Sequence, residues 1–227
     1  MAQYEDGQLS QGRQSCTDCS IYNCRSRDKQ FPGFCLSTNN QGEHDIAEDL
    51  DEIKTELSGD SLEARIARAS AQVEGIFYGR LTRVEEIMEF ARRLGFKKIG
   101  IATCAGLIEE AKIFAKILKE RGFDYYSVIC KVGGIDKTEI GVQDEHKIRP
   151  GCHESMCNPI MQARILNYNQ TDLNVIVGLC VGHDSLFIKH SDAPVTTLIT
   201  KDRVTGHNPA AALYTANSYY KKLFAEQ

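Results

Sequence analysis

From residue 96 onward, short apolar runs alternate with amphipathic stretches, and that alternation leaves few folds open. Residues 97–103, 125–130, 173–179 and 195–200 read as strands, being short and rich in Ile, Val, Leu and Tyr. Between them, 107–121 has the spacing of a helix closed by Gly122. Asn158-Pro159 caps and opens another helix through Tyr168, and 183–190 reads as a short third one. A last helix is expected over 209–224. Strand–helix–strand units join parallel strands by right-handed crossovers, so the expected fold class is α/β. That means a mostly parallel, doubly wound sheet of Rossmann or flavodoxin-like kind, with about four strands.

Upstream the character changes. Residues 1–45 are polar and punctuated by glycines and the Asn39-Asn40 pair, with no usable period. Such a segment cannot bury an apolar core, and a bound metal is the usual substitute. A helix is expected over 46–57, broken at Ser58-Gly59-Asp60. A longer helical region follows from Ser61 to Leu94, which Gly75 and Gly79 can divide. The expected organisation is a cysteine-rich segment (1–45), a helical region (46–95) and an α/β domain (96–227).

Nine cysteines are many for such a chain. In a reducing compartment they point to metal binding or reactivity before a disulfide framework. Four of them, Cys16, Cys19, Cys24 and Cys35, crowd the polar segment. The Cys16-x2-Cys19 pair lets two thiolates face one ion from a tight turn. Four thiolates can close a shell around Zn²⁺ or hold a 4Fe–4S cluster, and spacing alone does not choose between them. Ile21, Phe31 and Phe34 are too few to bury four thiols as ordinary core.

Three more cysteines end strands: Cys104, Cys130 and Cys180. Parallel strands finish on one edge, where open α/β sheets bind ligands, so these thiols are expected in one crevice. Cys157 precedes the helix opened by Asn158-Pro159, and only a long loop can bring it there. Cys104 and Cys180 also lie just before helix starts, where backbone N–H groups favour thiolate. Gly106, Gly133, Gly134 and Gly182 would let a ligand approach the backbone. The crevice set for a cofactor is thus Cys104, Cys130, Cys157 and Cys180. Cys180 with His183 and Asp184 is the candidate catalytic group, the last two as proton donor or further ligand. Small buried cysteines are also common filler at strand ends. After the fourth strand, Lys201-Asp202-Arg203 and Thr205-Gly206-His207-Asn208-Pro209 emerge at the same edge. They can hold an anion, or form a turn with Asn208 as cap and Pro209 at the first helical position.

With 27 basic and 31 acidic residues the net charge is −4 and the basic residues are scattered, so no nucleic-acid footprint is expected. No apolar run approaches the roughly 20 residues of a membrane span, and the opening residues lack a signal's apolar core. The expected compartment is the cytoplasm, with no membrane partner. Dinucleotide, P-loop, zincin and nucleophile-elbow motifs are all missing, which disfavours those enzyme classes.

The early cysteine cluster, Ile101-Ala102-Thr103-Cys104, the run from Gly178 to Asp184 and the run from Lys201 to Pro209 occur together. In this the chain resembles an uncharacterised prokaryotic family labelled "predicted metal-binding protein", over nearly its whole length. The resemblance implies metal binding through the N-terminal cysteines and carries no reaction with it. A looser likeness links the crevice to cluster domains of 2-hydroxyacyl-CoA dehydratase relatives. Three functions follow as expectations. One is an iron–sulfur oxidoreductase or sulfur-transfer enzyme, with a second cluster or metal in the crevice and a redox partner or small-molecule substrate. The second is a non-catalytic zinc carrier, sensor or interaction module. The third is a thiol redox protein, against which the lack of a C-x-x-C pair at a strand–helix junction counts.

Overall fold

The computed structural model describes residues 14–38 and 46–225. The stretches 1–13 and 39–45, expected to be featureless, lie outside the described residues. The chain divides between Arg68 and Ala69 into two compact units.

In the first unit, a single 3-10 turn at Cys16–Asp18 is followed by turns and bends to residue 38. Helix α1 then runs Ile46–Ser58. Helix α2, Leu62–Phe77, spans the division. Helix α3, Arg83–Leu94, lies in the second unit. The expected 61–94 region is therefore two helices. Gly79, at φ +67°, sits in the break, whereas Gly75 lies inside α2 and divides nothing. The restart is written locally. Thr82 caps α3 reciprocally with Glu85, and Gly95 ends it in the left-handed region behind Arg92 and Arg93.

The second unit holds the expected sheet. Strands β1 (Lys98–Thr103), β2 (Asp124–Ile129), β3 (Leu173–Val177) and β4 (Val195–Ile199) are all parallel, in the order β2-β1-β3-β4. The intervening helices are α4 (Ile108–Glu120), α5 (Pro159–Tyr168) and α6 (His183–His190). The period-2 alternation of strands sorts the core into two layers. Ile99, Ile101, Leu173, Val175 and Val177 face one way and pack with Ile87 and Met88 of α3 and Phe114 and Leu118 of α4. Ala102, Val128 and Ile176 face the other way, with Ala163 and Leu166 of α5 and Phe187 of α6. Among the described residues, no helix is long and apolar enough to cross a membrane.

Two expectations fail near the C-terminus. The long helix over 209–224 is a five-residue helix, α7 (Ala210–Tyr214), followed by turns and a 3-10 turn at Lys221–Phe224. Thr215, Asn217 and Ser218 are weak helix formers that compete for backbone groups. The Thr215 hydroxyl donates to the Ala211 carbonyl and the Ser218 hydroxyl to that of Thr215. Asn208 is not the cap either: Pro209 holds that position and no side chain caps α7. His207 instead pins its own turn, accepting from the Asp202 N–H at Nδ1 (3.2 Å) and donating its N–H to the Asp202 carbonyl (2.8 Å).

Candidate functional site

The strand order reverses direction around β1: the chain moves outward to β2, then crosses back to β3. That makes the gap beyond the C-terminal ends of β1 and β3 the topological switch point, the usual ligand crevice of a doubly wound sheet. Cys104 follows β1 directly, and Cys180 lies three residues beyond the end of β3. The expected third strand stops early because Gly178 turns the chain at φ +71°. A Cβ there would fall 1.8 Å from Leu107 Cδ1, so only glycine fits the turn.

Cys130 follows β2, and its thiol lies beside those of Cys104 and Cys157, near enough that each shifts the other's titration. Three segments far apart in the chain thus deliver thiols that run Cys104–Cys130–Cys157, with Cys130 in the middle. The long connection after Cys130 does the carrying. Lys147, its side chain 4% exposed, donates to Asp136 Oδ1 (2.8 Å), Asp144 Oδ1 (2.9 Å) and the Cys152 carbonyl (3.1 Å). Lys137 pairs with Glu154, and the Met156 N–H reaches the Ile135 carbonyl at 2.8 Å. The loop therefore closes on a polar core of its own. The Asn158 N–H then donates to the Cys130 carbonyl (2.7 Å), which seats Cys157 beside Cys130. Asn158 caps α5 at the Met161 N–H with Pro159 at the first position, as its sequence indicates. Gln162 of α5 ties the helix to the strand ends through the Thr103 and Val128 carbonyls.

The electrostatics favour thiolate at two of the three. Cys104 is drawn down to about 5 by the Cys130 thiol first, then by the Gly106 N–H and Lys201, against the penalty of burial. Cys157 is drawn down to about 5 by the same Cys130 thiol, and further by Lys131 and His183. Cys130 moves the other way, pushed up by the neighbouring Cys104 and Cys157 thiols and by its burial. It has one proton to give, so Cys104 and Cys157 compete for it. The Ala105 N–H also donates to Cys130 Sγ at 3.3 Å.

Cys180 is held from the far side by Arg203, whose Nη2 donates to its sulfur at 3.1 Å. The same guanidinium feels the charge of Cys104 and Cys157, so three of the four cysteines share one cation. His183, at the start of α6, leaves Nδ1 buried with no hydrogen-bond partner among the described residues. Asp184 turns its carboxylate to the Ser185 N–H (2.8 Å), within its own helix. Cys152 is exposed.

The N-terminal thiols converge differently. Cys16, Cys19, Cys24 and Cys35 line a single cavity of about 60 Å³ together with Asn23 and Phe34. Ser15 and Asp18 brace the first turn as a capping box, and the Tyr22 N–H donates to Cys19 Sγ at 3.4 Å. Asn23, 2% exposed, clamps Lys29 by two hydrogen bonds, to its carbonyl (2.6 Å) and from its N–H (2.9 Å).

Among the described residues, no group of three or more His, Cys, Asp or Glu side chains is drawn up as it stands to hold a metal ion. The donor chemistry nevertheless suits one at both places. All-thiol sets suit Zn²⁺ and iron–sulfur clusters, and His183 Nδ1 is an orphaned donor atom beside the crevice set. Sequence reasoning missed Lys131 as a charge next to Cys157 and the Lys147 core that folds the connection. Neither carries a spacing signal, because Lys131 acts on Cys157, 26 residues on, and Lys147 acts within an irregular loop.

The family description "Protein of unknown function (DUF1847)" matches residues 41–198. That span contains Cys104, Cys130, Cys157 and Cys180 and leaves out the N-terminal four. The chain is similar to an uncharacterized protein of Methanocaldococcus jannaschii, MJ0455. The two are 57% identical over 159 residues, which is 70% of this chain and 80% of the relative. No solved structure matches it. By the extent of the match this chain belongs to the DUF1847 family of proteins of unknown function.

Proposed function

We propose that this protein is a cysteine-ligated metal protein with two thiolate sites. Cys16, Cys19, Cys24 and Cys35 would form the first, and Cys104, Cys130, Cys157 and Cys180 the second. The carrying observation is the convergence of Cys104, Cys130 and Cys157, from three separate segments, at the switch point of a parallel sheet. Ordinary filler does not require two of three adjacent thiols to favour their charged form beside Lys131, Lys201 and Arg203.

The N-terminal site is a structural one in this reading. Zn²⁺ or a 4Fe–4S cluster there would supply the cohesion that a polar segment lacks. In the crevice, a cluster or open metal would supply redox or Lewis-acid chemistry when bound. The protein's own part there is to supply charge. Lys201 and Arg203 hold the thiolates, and His183, near Cys157, keeps a nitrogen without a partner among the described residues. A redox or sulfur-transfer enzyme is the activity this arrangement suits best.

The test is anaerobic purification of the full chain, with elemental analysis and a visible spectrum on one sample. Metal at both sites is expected. The C16A/C19A and C104A/C157A variants should each lose one site's share and keep the other. Less than about 0.1 metal per chain in a colourless anaerobic sample would overturn the reading. In that event the adjacency of Cys130 to Cys104 and Cys157 favours a thiol redox protein. Its signature is a thiol count that falls by two on oxidation.

A further inference from the structure

The crevice carries more positive charge than its thiols use. Lys131, Lys201 and Arg203 all face the cysteine set. The ion pairs among the described residues include none of the three. Asp202, between the last two in sequence, is no counter-ion for them. Its carboxylate accepts from the Val204 and Thr205 N–H groups (2.9 and 3.0 Å) and closes its own turn. Four thiolates around a divalent ion carry two negative charges, one fewer than the three cations.

The donors are also underused. Arg203 spends one described hydrogen bond, on Cys180, out of the five a guanidinium offers. Lys201 lies over bare backbone: a Cβ on Gly106 would stand 3.1 Å from its Nζ and 4.0 Å from Cys104 Sγ. Glycine at 106 therefore keeps the ammonium and the Cys104 sulfur on one open face. Lys131 is committed more fully, donating to the Ser155 carbonyl at 2.6 Å.

We propose that the crevice binds an oxyanion, anchored by Lys201 and Arg203 and lying against the cysteine set. This deepens the metal–thiolate reading and rests on it for the charge count: it gives that site a substrate whose reacting group is a carboxylate or a tetrahedral oxyanion. A guanidinium fork beside a lysine suits either shape, and it is the usual protein answer to both.

The experiment is calorimetric titration of the full, anaerobically purified chain with sodium sulfate and, separately, sodium acetate. Both are run against sodium chloride at matched ionic strength, with metal content measured on the same samples. Saturable binding of one molecule per chain is expected; the salt that binds names the shape. K201Q and R203Q should each weaken it by about 10-fold or more, compared per chain at the metal content measured for each sample. K201R should keep most of it, and K189Q, on the exposed side of α6, should keep all of it. Circular dichroism on each variant separates lost binding from lost fold. Heats no different from chloride, or equal affinity in wild type, K201Q and R203Q, would overturn the proposal. A wild-type chain that binds the anion without metal would instead sink the metal reading and leave the anion site standing.

Discussion

The two cysteine sets are solved by opposite means. In the N-terminal segment the described side-chain hydrogen bonds reach no further than six residues, from Asn23 to Lys29, and few apolar side chains are buried. In the crevice, Gln162 reaches Thr103 across 59 residues and Asn158 reaches Cys130, on a sheet buried on both faces. Local bonds close a turn but leave little cooperative free energy behind them, so under the proposed reading the first set would depend on a bound metal. The second set sits on a core built from apolar packing on both faces of the sheet. A cysteine cluster can therefore be a cause of fold in one part of a chain and a consequence of it in another.

The largest effect should come from the core beneath the crevice. Ile101, fully buried in β1, is expected to cost about 2–5 kcal/mol when cut to alanine, read as a lower urea midpoint. Metal at Cys16–Cys35 should survive in that variant. Joint loss of both sites would mean that the two regions fold as one. Next comes Asn23→Ala, which removes both clamps on Lys29. A fall of about 10- to 100-fold in zinc affinity at the N-terminal site is expected from competition with a chromophoric chelator, with the sheet's unfolding midpoint unchanged. An unchanged affinity would show that the thiols alone shape that site.

The smallest effect concerns the connection that seats Cys157. Lys147 holds the Asp136 and Asp144 carboxyls below their ordinary range, through hydrogen bonds first in each case. A carboxyl lowered in the folded state contributes stability that is complete above its unfolded value, about 3.9, and fades as pH falls toward the folded one. Wild type should therefore melt above Asp136→Asn by a constant margin above about pH 5, and the margin should narrow below about pH 4. A margin independent of pH across that window would mean that Asp136 acts through shape and not charge.

Much of this was legible in residue order. Period-2 runs and capped helices outlined a parallel α/β sheet, Asn158-Pro159 marked the start of α5, and strand-end positions brought Cys104, Cys130 and Cys180 to one edge. The misreadings came where local signals were weak or overruled. Thr215, Asn217 and Ser218 cut the last helix short, and Gly178 ended β3 two residues early against Leu107.

By itself the sequence determined fold class, the two cysteine sets and the sheet edge that carries one of them, because strand alternation, caps and chelating spacings are all short-range patterns. Only the tertiary structure decided that Cys157 joins Cys130, that Lys147 is the pin that brings it there, and that Lys131, Lys201 and Arg203 surround the thiols without carboxylate partners. Most of those are contacts between residues more than twenty positions apart, and the Lys147 contacts lie within an irregular loop. Coulomb and hydrogen-bond energies depend on distance in space, which residue spacing does not record.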